Sequence, residues 1–107
     1  MEILSFEDFK KLDIRIGRIT IAEVIEGSDK LLKLQVDFGE EKRQIVAGIA
    51  KDYVPESLVG KECPFVFNLV PRMVKGIESQ GMMLCVDDQG PILLHPDREV
   101  APGSVIK

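Results

Sequence analysis

Tryptophan is absent from this sequence, histidine and tyrosine occur once each, and cysteine occurs twice. Each scarcity closes off a class of function. The lone imidazole, His95, stands between Leu94 and Pro96 with no serine or cysteine nucleophile beside it, a poor setting for a general base. Cys63 and Cys85 lie 22 positions apart without C-x-x-C spacing. Neither a disulfide framework nor a zinc site is expected of them, and both fall in strand-like patterns that suit small buried hydrophobes. There is no P-loop and no G-x-G-x-x-G run. The acid pairs Glu40-Glu41 and Asp87-Asp88 sit at turns, where solvated carboxylates are common. No catalytic residue, metal ligand or cofactor is therefore expected. No apolar run approaches the ~18 residues of a membrane span. The start, MEILSFEDFKKLD, lacks the apolar core of a signal peptide. A cytoplasmic protein without a membrane partner is the expectation.

Positive charge is also in deficit. The 14 Lys+Arg against 18 Asp+Glu leave a net −4, which argues against indiscriminate nucleic-acid binding through bulk charge. Five Phe, one Tyr and no Trp argue against a general single-strand binder, because such proteins stack bases on aromatic side chains. Phosphate and ribose contacts that read the shape of a folded RNA suit this composition better.

What is present is one domain's worth of chain: 107 residues, 45% apolar and 30% charged. Its charge is unevenly spread. Residues 30–51 hold Lys30, Lys33, Lys42, Arg43 and Lys51 against Asp37, Glu40 and Glu41. Residues 68–85 hold Arg72 and Lys75 against Glu78. The remaining segments are acidic, so two basic islands interrupt an acidic background.

Hydrophobic spacing locates the elements. Ser5 before Glu7, Asp8 and Phe9 reads as a capped short helix. Ile14 and Ile16 share one parity and Ile19 and Ile21 the other, which predicts a β-bulge at Gly17-Arg18 in a long, bent first strand. Leu32, Leu34, Val36 and Phe38 alternate with polar residues as a half-buried second strand. Gly39-Glu40-Glu41 turns into a third strand, Arg43 to Ile49, and Tyr53 to Gly60 fits a short helix. The fourth strand, Cys63 to Leu69, is apolar on both parities and needs cover on each side. Residues 69–81 read as a long, functional connection, and Met82 to Val86 as a fifth strand.

Five strands with a helix between the third and fourth is the order of an OB-fold. The expectation is thus an all-β five-stranded Greek-key barrel over 13–87, with a helical N-terminus (1–12) and an extended C-terminal tail (88–107). OB-folds bind on the face of strands 2 and 3, between the 1–2 and 4–5 loops. That topology would bring both basic islands to one face. The apolar fourth strand and tail, including Phe65, Phe67, Leu93, Leu94, Val105 and Ile106, offer more apolar surface than a small barrel obviously buries, and these six are the expected homodimer contact.

The assembled motifs closely resemble the tRNA-binding domain at the C-terminus of bacterial methionyl-tRNA synthetases, also found as free-standing structure-specific tRNA-binding proteins. The resemblance runs through FEDFKKLDIRIGRI, EGSDKLLKLQVDFGEEKRQIVAGI, PESLVGK, NLVPRMVKGIESQGM and PGSVIK. It implies a homodimer that binds the L-shaped body of tRNA without reading the anticodon and assists the synthetase's catalytic part, in cis or in trans. One branch of the family binds exposed peptides, which leaves a chaperone or interaction module as the alternative. By family position the RNA-facing residues would be Lys33, Arg43, Asn68, Arg72, Lys75, Ser79 and Met82. The four cations would neutralise phosphates. Asn68 and Ser79 would either bond RNA or support the 4–5 loop, and Met82 would either face RNA or pack in the core.

Overall fold

The computed structural model describes residues 1–107. Ser5 caps α1 (Phe6–Phe9), its Oγ accepting the Asp8 N–H at 3.1 Å. The strands are β1 (Ile14–Val24), β2 (Leu32–Asp37), β3 (Lys42–Ala47), β4 (Glu62–Val66), β5 (Arg72–Val74), β6 (Ile77–Ser79), β7 (Met82–Met83), β8 (Cys85–Asp87), β9 (Pro91–Leu93) and β10 (Val105–Ile106). A single 3-10 turn, Pro55–Ser57, replaces the helix expected between β3 and β4. No helix is long and apolar enough to cross a membrane.

The main sheet runs β3-β2-β1-β4-β7 with β10 added against β1, and curls into a nearly closed OB-like barrel. β1 serves both halves by changing partners along its length. Residues 14–18 pair with β4, and the first two of them also with β10, whereas residues 18–24 pair with β2. The alternation of β2 points Leu32, Leu34 and Val36 inward, all fully buried with Ile19, Ile45, Leu58, Cys63 and Phe65. Phe38 sets its ring edge-on to Phe65 and Phe67, at centroid distances of 5.5 and 5.0 Å. Truncating any of the large core residues to alanine costs about 2–5 kcal/mol.

Three expectations are corrected. The bulge lies at Thr20, between Ile19 and Ile21, and the Thr20 hydroxyl donates to the Gln35 carbonyl at 3.1 Å. The parity change before it has another cause: Ile16 faces the C-terminal tail and Ile19 the core, so both faces of β1 are covered there. Gly17 is required by close packing, because a Cβ would collide with Val36 and Phe38. Residues 69–81 form an ordered hairpin, β5–β6, rather than an open loop. The expected fifth strand breaks at Leu84, with β7 on the barrel and β8 turned away to pair with β9.

β4 is buried along its whole length. Phe65 and Phe67 lie within the barrel's own core and present no face to a partner, contrary to their expected place in a dimer contact. The outward side of β4 is covered by the chain's own tail. Pro64 and its cross-strand partner Ile16 lie with Leu94, Val105 and Ile106 around one shallow apolar hollow. Backbone bonds from Gly103 N–H to Ile16 O (2.7 Å) and from Ile16 N–H to Ser104 O (2.9 Å) strap the tail down.

Candidate nucleic-acid interface

The outer face of β2 and β3 is framed by the segment that closes the barrel. β3 meets residues 78–81 through side chains rather than a regular ladder. Gln44 N–H donates to Gln80 Oε1 (2.9 Å), Gln80 N–H returns to Gln44 O (2.8 Å), and Gln44 Nε2 donates to Glu78 O (2.8 Å). Ser79, nearly fully buried, accepts from Val46 N–H at 3.0 Å and donates to Gly81 O at 3.1 Å. Gly81 is needed because a Cβ there would stand 2.9 Å from Val66 O and 3.3 Å from Ile45 Cδ1. The Ser79-x-Gly81-Met82 motif is therefore a barrel closure, and Ser79 supports the hairpin.

Two of the other expected contacts are also committed to the fold. Arg43 donates from Nη1 to the Phe67 and Gln80 carbonyls, pairs through Nε with Glu41 at 3.0 Å, and sets its guanidinium carbon 3.4 Å from the Phe67 ring centroid. Asn68 accepts the Asp13 N–H (2.9 Å) and donates to Lys11 O (2.6 Å), fastening the N-terminal segment to the end of β4. Beside them Arg15 lies 4.0 Å from the same Phe67 ring and grips Asp13 through two hydrogen bonds of 2.9 and 2.8 Å. Those bonds hold the Asp13 carboxyl below its ordinary pKa and raise that of Arg15. Away from this face, burial pushes the Cys63 thiol up to about 11 and raises Cys85 as well, so both are neutral thiols at physiological pH.

Two of the remaining expected cations are free. Arg72 and Lys75 are exposed on the β5–β6 hairpin, and neither forms an ion pair. Lys75 holds φ +53° and Gly76 φ +77°, the pair of positive angles a tight two-residue turn demands. A lysine in that conformation is strained by about 1–3 kcal/mol, a cost typical of functional turns. Across β3 from the hairpin stands the β1–β2 connection, where the Ser28 Oγ accepts the Lys30 and Leu31 N–H groups at 3.3 and 3.2 Å. Between the two runs a groove of about 460 Å³ lined by Ser28, Asp29, Lys30, Val46, Arg72 and Lys75 among others. Lys33 lies on the same sheet face, cross-strand from Val46, with its Nζ 3.6 Å from Glu23 Oε1. Met82 is half exposed, beside Arg72 and Val46.

Of the seven expected residues, the fold brings Lys33, Arg72, Lys75 and Met82 to the open face, and gives Arg43, Asn68 and Ser79 internal partners. Lys30, from the first basic island and the end of the 1–2 loop, also lines the groove. Val46 went unmarked because one apolar residue in an apolar strand carries no signal of outward orientation.

An OB-like barrel with cations around its β2–β3 face has the form of the small barrels that present this face to oligonucleotides or oligosaccharides. A family model described as "Putative tRNA binding domain" matches residues 14–105, and the chain belongs to that family. It is 52% identical over 104 residues to methionine–tRNA ligase of Archaeoglobus fulgidus, a match covering 96% of this chain and 16% of the ligase. It is 51% identical over 108 residues to the Porphyromonas gingivalis enzyme, covering 99% and 16%. The chain thus spans about one-sixth of the length of these curated relatives. Among solved structures it is similar to a MetRS related protein from Pyrococcus horikoshii (TM-score 0.93, 40% identity, all of both chains). It is also similar to the chaperone CsaA of Bacillus anthracis (TM-score 0.91, 36% identity, 99% of this chain and 100% of that one).

Proposed function

We propose that this chain binds tRNA by the shape of its folded body, without reading sequence, and so assists a methionyl-tRNA synthetase, in cis or in trans, in capturing its substrate. It acts in the cytoplasm by binding rather than catalysis. The observation that carries the reading is the groove in which Lys30 from the first basic island faces Arg72 and Lys75 from the second, all three without ion pairs. Lys30, Lys33, Arg72 and Lys75 neutralise phosphates, while Arg43, Asn68 and Ser79 hold the groove's walls in place. Four cations give a modest affinity that falls steeply with salt.

The active form is a homodimer, in which two weak RNA faces act together. Leu94, Val105 and Ile106 are exposed, Leu93 is half-buried, and the N-terminal Ile3, Leu4 and Phe6 add further exposed apolar surface. This supply of apolar side chains supports self-association. Gel retention tests the RNA reading: tRNA is retained, whereas unstructured RNA of equal length is not, and equal retention of both refutes it. Sedimentation with and without total tRNA reports the oligomer.

A second reading is a peptide-binding chaperone or interaction module. The likeness to the CsaA chaperone and the exposed apolar N-terminal segment favour it. It requires that Arg72→Ala and Lys75→Ala leave activity unchanged.

A further inference from the structure

We infer that one unpaired RNA nucleotide straddles Arg72, its phosphate on the Lys30–Lys75 side and its base in the apolar hollow beside Met82. The inference rests on the tRNA-binding reading and says which part of the RNA the face takes. Two hollows meet at Arg72. The first is the groove of about 460 Å³ described above, which sets Lys30, Arg72 and Lys75 against the single carboxylate of Asp29. The second, of about 250 Å³, is lined by Val46, Ile49, Met82, Met83, Cys85 and Pro91, with Arg72 at its edge. Val46, Gly48 and Arg72 line both. A charged trough and an apolar pit that share a wall match the two ends of a nucleotide, with the planar, always-charged guanidinium at the join. Such a group can bond a phosphate and lie flat against a base.

Size and chemistry narrow the occupant. The pit is smaller than the ~300–1,000 Å³ of pockets that enclose a whole small-molecule ligand, but has room for one ring system. Met82 fits the role of an adaptable apolar wall: it is 47% exposed while its neighbour Met83 is buried in the core. A base inside a duplex has its faces covered by stacking, so only an unstacked nucleotide can enter.

The pit also explains why sequence goes unread. Ser79, which lines a neighbouring hollow with Val46, Arg72 and Met82, already accepts from Val46 N–H and donates to Gly81 O. Its neighbour on β3, Gln44, is engaged with Glu78, Gln80 and Gln35. The side chains of the pit other than Arg72 are apolar apart from the Cys85 thiol. Burial of a base there gives affinity with little discrimination among base edges.

The test compares, by fluorescence anisotropy with the full chain, a tRNA transcript, a fully paired RNA duplex, and the same duplex carrying one bulged 2-aminopurine. The bulged duplex is expected to bind about tenfold tighter than the paired one, as burial of one ring predicts. Its 2-aminopurine emission should change on binding. Met82→Ala should abolish that advantage while Met82→Leu keeps it, with thermal melts confirming that both variants fold. Arg72→Ala should weaken all three RNAs. Equal binding of the paired and bulged duplexes by a chain that binds tRNA overturns this inference alone. An advantage that survives in Met82→Ala also overturns it. Failure of all three RNAs to bind overturns the tRNA-binding reading and this inference with it. Displacement of the bulged RNA by an unstructured apolar peptide whose binding requires Met82 assigns the pit to peptide and overturns the inference.

Discussion

Two groups of cations lie on this barrel and do opposite work. Around Phe67, Arg15 and Arg43 are spent on the fold, each guanidinium against the ring and bonded to a carboxylate, with Arg43 also bonded to two carbonyls. Around Val46, Lys30, Arg72 and Lys75 have no carboxylate partner. A cation that already has internal partners must lose them to bind an anion, whereas an unpaired one only exchanges water for phosphate. The number of basic residues in a sequence therefore overstates the charge a surface offers. In an acidic protein with a net −4, three unpaired cations gathered around one groove make it a local site of attraction for an anion.

The sharpest way to break this contrast is to remove one cation from each group. Arg43→Ala strips three hydrogen bonds from a charged donor, one of them to the Glu41 carboxylate, and a cation–π contact, and should cost about 3 kcal/mol of stability in urea unfolding. Its effect on tRNA affinity should follow the loss of folded protein. Ser79→Ala leaves the Val46 N–H without its acceptor and should cost about 1–3 kcal/mol by the same measurement. Arg72→Ala should leave unfolding within about 0.5 kcal/mol of the parent while weakening tRNA binding. It should also reduce the slope of log K against log salt by roughly 0.7–0.9. A destabilised Arg72→Ala, or a fully stable Arg43→Ala, would erase the distinction.

The smallest effects come from pH. Asp13 is held below its ordinary pKa first by the Arg15 hydrogen bond. Its contribution is complete above the unfolded carboxylate value and is lost as pH falls through the depressed folded value. Cys63 shifts the other way, up to about 11 through burial. Its contribution is complete below the unfolded thiol value and is lost as pH rises toward about 11. Stability measured across pH should therefore decline at both ends, and Cys63→Ala should flatten the alkaline limb alone.

Much of the barrel was legible because its signals are local. The Ser5 cap, the alternation of Leu32, Leu34 and Val36, and the Gly39-Glu40-Glu41 turn each depend on residues a few positions apart. The bulge was misplaced because parity reports only that two faces are covered. The tail that covers the second face joins β1 about ninety residues further along the chain. The hairpin of 69–81 was missed because its strands are three residues each and its turn relies on a lysine at positive φ.

The sequence by itself determined the first four strands, the buried alternation of β2, the two basic islands and the family motifs. All of these are patterns of residue type along the chain. Only the tertiary structure decided which cations remain free, that Ser79 and Asn68 are fasteners, and that the barrel's own tail covers β4. Those outcomes depend on hydrogen bonds and packing between residues far apart in sequence. A side chain's type says what it can bond, and only its neighbours in space say whether it already has.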